Sequence, residues 1–169
     1  ANPVVQEDLR ILMMIDHLVR SGWIDVASAA PIIQRSVQET TDAVNALVPL
    51  QVRGVSLVTE VNGIPPGSDP AFALSGPARE ILVALDTDLS WRRSWPDRSS
   101  VALSYATARG RISTTELASL VGAEPTNVGS ILKDLEQAGR LAPSRETRRG
   151  PGFHYKYVRD TTANSGAPR

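Results

Sequence analysis

Cysteine is missing from all 169 residues. That excludes disulfides and cysteine-ligated zinc, and it fits a reducing compartment. Long apolar runs are missing too: none approaches the roughly 20 residues of a membrane-spanning helix, and no signal peptide is visible. A cytoplasmic protein is expected. Histidine occurs twice, at His17 and His154, and two lone histidines without a partner motif make no metal site. No GxxxxGK[ST] phosphate loop, HExxH or GxSxG occurs, so neither catalysis nor a cofactor is expected. Lysine is nearly absent, with only Lys133 and Lys156 among eighteen basic residues. Arginine suits phosphate recognition because its planar fork grips two oxygens at once; a GC-rich genome produces the same bias.

What is present is a globular composition, 41% hydrophobic and 21% charged, with room for one large or two small domains. The formal net charge of zero hides an asymmetry. Residues 1–88 carry five basic against eleven acidic residues, whereas residues 89–169 carry thirteen basic against seven acidic. Halves of opposite sign suggest two domains with different partners, or halves that attract each other.

An offset of 88 residues lays the chain on itself without gaps. GWIDVASAAPIIQRSVQETTDAVNALV, residues 22–48, falls on GRISTTELASLVGAEPTNVGSILKDLE, residues 110–136. Ile24 meets Ile112, Ile33 meets Val121, Val44 meets Leu132 and Leu47 meets Leu135. Few identities survive, but the apolar positions coincide, so the chain reads as two copies of one fold.

Each copy predicts a first helix (6–21 and 97–109), with Leu9, Leu12, Met13, Ile15 and Val19 as the apolar set of the first. A short segment with one buried Ile follows, then a second and a third helix. Ser113-Thr-Thr-Glu116 and Ser36-Val-Gln-Glu39 are capping boxes, and Pro125 suits a first helical position. Val128, Ile131, Leu132, Leu135 and Ala138 predict the inner face of the last helix, which Gly139 stops. Gly129 on that helix suggests close backbone approach to a phosphate or close packing inside the domain. Strand pairs follow: 55–61 with 71–75 in copy one, and Arg140-Leu141-Ala142 with FHYKYV in copy two. GPAREILVALD, 76–86, returns to helical spacing. Three helices followed by a hairpin is a winged helix. The expected fold is mainly α with small β-hairpins (α+β), a tandem winged helix-turn-helix. Its parts are an acidic first domain over 5–88, a linker over 89–97, a basic second domain over 98–158 and a disordered tail over 159–169. Trp91 and Trp95, flanking Arg92 and Arg93, are expected to clamp the two domains.

In a winged helix that binds DNA, the third helix enters the major groove and the wing grips adjacent backbone. Copy two offers Thr126, Asn127, Ser130 and Lys133 on that helix, with Asn127 able to pair with adenine. Arg145, Arg148, Arg149 and Lys156 supply cations on the wing. Glu124 and Asp134 oppose them. Copy one exposes Gln38, Glu39, Thr41, Asp42 and Asn45 on its third helix and carries Asp69 in its wing, which suits protein contact or a spacer role.

The order of these segments, with AFALSGPAREIL closing the first unit and RISTTELASLVGAEPTNVGSILKDLEQAGRLAPS followed by RRGPGFHY forming the second, resembles a bacterial arrangement. It is similar to the C-terminal tandem winged-helix region of actinobacterial transcriptional regulators of the Schlafen/Alba-like (divergent ATP-binding) type. The resemblance implies a bacterial regulator of transcription, with double-stranded DNA as partner and either a homodimer or contact with an upstream domain. A chain that begins Ala-Asn-Pro and ends TTANSGAPR reads as an excised fragment. The alternative expectation is a non-catalytic protein-interaction, or oligomerisation, module whose winged helices make protein contacts only.

Overall fold

A computed structural model describes residues 9–86, 96–148 and 150–159. The described residues form seven helices and eight short strands in the order α1 (Leu9–Ser21), β1 (Trp23–Asp25), α2 (Val26–Ile33), α3 (Val37–Asn45), β2 (Gln51–Val52), β3 (Val55–Ser56), β4 (Val58–Glu60), β5 (Ala71–Leu74), α4 (Gly76–Asp86), α5 (Arg98–Arg109), β6 (Arg111–Ile112), α6 (Thr114–Val121), α7 (Pro125–Gln137), β7 (Leu141–Pro143) and β8 (Tyr155–Tyr157). The strands pair as β1-β5-β4, β2-β3 and β6-β8-β7, all antiparallel. The two three-stranded sheets share one topology, in which the short strand after the first helix pairs with the last strand of the wing. The fold is a tandem winged helix.

The repeat is physical as well as topological. Ile24 and Ile112, at the same place in their units, are both fully buried, as are Val44 and Leu132. The second helices start alike. Asp25 accepts from Ser28 N at 2.8 Å, and Ser113 accepts from Glu116 N at 3.2 Å. Each is answered in reverse by the side chain three residues on, so both helices open on a capping box. The second helices also end alike, with Gln34 (φ 53°) and Gly122 (φ 62°) in the left-handed conformation. Glycine adopts it at little cost; glutamine pays for its Cβ. Gln34→Gly is therefore expected to stabilise the protein by about 0.5–1 kcal/mol, read as a rise of roughly 1–4 °C in Tm by thermal circular dichroism.

Several expectations need correction. On α1 the core is formed by Ile11, Met14 and Leu18, not by Leu9, Leu12 and Met13, which are exposed. Both stripes have helical spacing, so periodicity alone could not choose between them. Ala138 lies outside the helix and is exposed. The last wing strand is only Tyr155–Tyr157, with Phe153 and His154 ahead of it. A Cβ on Gly129 would meet nothing within 4 Å, so close packing does not explain that glycine. A small hairpin, β2-β3, was not foreseen; its two-residue loop, Arg53 (φ 48°) and Gly54 (φ 82°), has the two positive φ values of a type I′ turn.

The first sheet is apolar on both faces. Ile24, Phe72, Leu74 and Val58 enter the core of their own unit, while Trp23, Ala71 and Ala73 enter the core of the second. Trp23 packs edge-on to Tyr105, with ring centroids 5.0 Å apart, and its indole N–H donates to Ser104 Oγ at 3.0 Å. The wing of the first unit completes the joint. Asn62 N donates to Ser119 Oγ at 3.0 Å, and Gly63, at φ 86°, lies where a Cβ would come within 3.0 Å of Thr115. The Arg109 guanidinium donates to Asp25 Oδ2 at 2.7 Å and to the Asp69 carbonyl at 2.6 Å. Trp91 and Trp95, expected to clamp the units, lie outside the described residues, as do Arg92 and Arg93.

Candidate nucleic-acid interface

Helix α7 begins with Pro125 at its first position, and Glu124 before it makes no side-chain cap. Val128 and Leu132 are fully buried against the second core, which includes Leu141 and Tyr155 of the sheet. The opposite stripe therefore faces solvent. Thr126, Asn127, Ser130 and Lys133 are all exposed there, at spacings that place Thr126, Ser130 and Lys133 in one row. Asp134 and Glu124 are exposed beside them and oppose an incoming polyanion.

The wing cations have partners of their own. Arg145 turns inward: Nε donates to Thr147 O at 3.2 Å, and Nη2 reaches Pro151 O at 3.0 Å. It thereby holds together a tip bent at Gly150 (φ 97°) and Gly152 (φ 77°). Arg148 forms a two-pronged pair with Glu136 of α7, Nη1 to Oε2 at 2.9 Å and Nη2 to Oε1 at 2.8 Å. This is the planar carboxylate geometry for which arginine is suited. Its side chain is 50% exposed and that of Glu136 20%, so the pair is a latch at the surface and not a buried strut. Tyr155 lies beneath; burial pushes its hydroxyl pKa up, and Glu136 adds to the rise. Arg149 lies outside the described residues.

Lys156 belongs elsewhere. It is exposed on β8, directly across the ladder from Arg111 on one side and Ala142 on the other. Strand alternation puts its neighbours Tyr155 and Tyr157 on the helix-facing side and Lys156 on the outer side. An open cleft of about 580 Å³ on this flank is lined by Arg109, Arg111, His154, Lys156, Tyr157 and Arg159, among others. The expected site is thus split: Thr126, Asn127, Ser130, Lys133, Arg145 and Arg148 gather on α7 and the wing, whereas Lys156 sits on the sheet. Arg109 and Arg111 were not expected. For Arg111 the signal was the repeat itself, in which GRIS stands over GWID and replaces a tryptophan by an arginine. Among the described residues no cluster of His, Asp or Glu could hold a metal ion, and no helix is long and apolar enough to cross a membrane.

No family model matches the sequence, and no curated protein matches it. A solved structure does. The DIP2311 protein of Corynebacterium diphtheriae superposes with a TM-score of 0.68 over 94% of this chain, at 19% sequence identity. The likeness is one of fold. The chain corresponds to 28% of the length of that protein. ScpB from Mycobacterium tuberculosis, 9% identical over 88% of this chain and 89% of its own, reaches a TM-score of only 0.30 and carries no argument. The tandem arrangement as a whole, not merely one winged helix, therefore recurs in the longer protein.

Proposed function

We propose that the chain is a DNA-binding module of a bacterial transcriptional regulator, in which the second winged helix contacts the duplex through α7 and its wing. One observation carries the reading: of two units with the same topology, the first docks its wing on the second, whereas among the described residues the second unit's wing bonds within its own unit, to its own tip and to α7. The first unit spends its wing on α6 and Arg109, and the exposed face of its third helix carries Glu39 and Asp42. It acts as a docked spacer that fixes the second unit. The second unit exposes Thr126, Asn127, Ser130 and Lys133 on α7 beside a wing rich in arginine. Donors on the helix read base edges or phosphate while wing cations hold the backbone. The upstream Schlafen/Alba-like domain of the regulators that this chain resembles, a homodimer and a cytoplasmic location all belong to the same proposal.

The latch between Arg148 and Glu136 makes the reading testable in both directions. Arg148 can serve phosphate fully only when Glu136 lets go. Glu136→Gln removes an acidic group from the surface and frees the guanidinium. It is expected to tighten duplex binding several-fold at low salt and to steepen the log–log salt dependence by about one, for one added phosphate contact. Lys133→Glu is expected to weaken binding. Fluorescence anisotropy of a labelled duplex checks both; identical curves for wild type and both variants would remove α7 and the wing from any DNA interface.

A further inference from the structure

The two sheets occupy equivalent places in the two units, so their outer faces can be compared position by position. In the first unit Trp23 stands opposite Ala73, and Asp25 opposite Ala71. Trp23, Ala71 and Ala73 are buried against α5 and α6. In the second unit Arg111 stands opposite Lys156, and Ile112 opposite Tyr155. The register therefore puts Arg111 in the place of Trp23, Lys156 in that of Ala73 and His154 in that of Ala71. A docking surface for protein has been rebuilt with basic side chains, and no described residue packs over Lys156, which is exposed.

Like charges directly opposite each other across a ladder destabilise a sheet. Glu116, itself 1% exposed, meets Arg111 at 3.1 Å and offsets part of this, while Lys156 is exposed at the surface with Arg159 along the same cleft. An anion laid over the face relieves the rest. The face also looks away from the candidate interface on α7. Val128 and Leu132 point from α7 toward the inner side of the sheet, so the solvent-facing stripe of α7 and the outer side of the sheet lie on opposite sides of one core.

We infer that the outer face of β6-β8-β7 is a second backbone-binding surface, which takes the sugar-phosphate backbone of a second nucleic-acid segment while α7 and the wing hold the first. The inference rests on the DNA reading above and makes the module a bridge between two duplex segments. Its cations are Lys156 and Arg111 at the centre of the face, with Arg159 at its margin. Unlike the α7 surface it offers no row of hydroxyl and amide groups to base edges, so it grips without reading sequence.

The experiment immobilises one duplex, adds protein, and measures capture of a second, fluorescent duplex, alongside anisotropy on a single duplex. Wild type is expected to bind the single duplex and to capture the second. Lys156→Glu, at an exposed strand position, is expected to keep single-duplex binding and to lose capture by about tenfold, with the salt slope of capture falling by about one. A Tm equal to wild type shows that the variant is folded, and Lys156→Ala with an intermediate loss supports charge over shape. Capture by Lys156→Glu equal to wild type overturns the inference, because bridging would then come from another surface or from a dimer. Single-duplex binding by wild type without capture also overturns it and leaves the DNA reading standing. No binding of any duplex by wild type overturns both.

Discussion

Trp23→Ala is expected to cost about 4 kcal/mol, the middle of the range for removing a buried large aromatic side chain. For a chain of this size that lowers Tm by roughly 8–16 °C, a shift that differential scanning calorimetry resolves. Trp23 is 3% exposed although it belongs to the first unit, because its ring fills a site on the second. The truncation removes the edge-on contact with Tyr105 and leaves Ser104 without its indole donor. Those losses fall where the first sheet enters the second unit's core, so the variant is also expected to weaken the coupling between the units and to unfold in two resolved steps. A change in Tm below about 2 °C would show that the sheet does not hold the second unit in solution.

Arg109→Ala is the second large effect, expected at about 3 kcal/mol. Asp25 uses its two oxygens for different tasks: Oδ1 accepts from Ser28 N at the start of α2, and Oδ2 accepts from Arg109. Its side chain is 5% exposed and that of Arg109 12%. Removing the guanidinium leaves a carboxylate unpaired in a nearly dry setting and releases the Asp69 carbonyl of the first wing. The guanidinium carbon also lies 5.5 Å from the centre of the Tyr105 ring, a cation–π contact that goes with it. Arg109→Lys is expected to recover less than half of the loss, because a single ammonium cannot serve the carboxylate and the carbonyl in the fork geometry. Urea denaturation of the three proteins, compared at one pH near neutrality, checks the ordering. Full rescue by lysine would mean that charge alone, without the bridging geometry, accounts for the strap.

The tandem fold was legible because burial imposes the same pattern twice. Ile24 and Ile112, and Val44 and Leu132, need the same residue class wherever the fold recurs, so an ungapped offset brings them into line. Of the capping boxes that open the second helices, Ser113–Glu116 was legible, whereas Asp25–Ser28 was not, because an Asp…Ser pair lies outside the Ser/Thr…Glu/Gln pattern. The apolar face of α1 was not legible. Leu9, Leu12 and Met13 have the spacing of a core stripe, and only the packing of α2 and the first sheet makes Ile11, Met14 and Leu18 the inner face. The joint between the units was legible in part. AFAL has no polar residue to turn outward, which is the mark of a strand covered on both faces, whereas YKY in the second unit alternates. What covers AFAL, however, depends on contacts distant in sequence.

The candidate site followed the same rule. The exposure of Thr126, Asn127, Ser130 and Lys133 follows from the burial of Val128 and Leu132, which the helical period carries. The engagement of Arg148 with Glu136 joins residues twelve apart across a wing, and no local pattern encodes it. Lys156 was grouped with the wing by proximity in sequence, but strand alternation moved it to another face of the molecule.

The measurement that tests the account most directly is the anisotropy of a labelled duplex of about 30 base pairs, titrated with wild-type protein across a salt series. About four to six phosphate contacts predict a log–log slope of roughly −4 to −5, with Glu136→Gln steeper and Lys133→Glu weaker. Binding absent at low salt, or present with a slope near zero and indifferent to both substitutions, would contradict the account and leave the second unit's wing as a surface for protein.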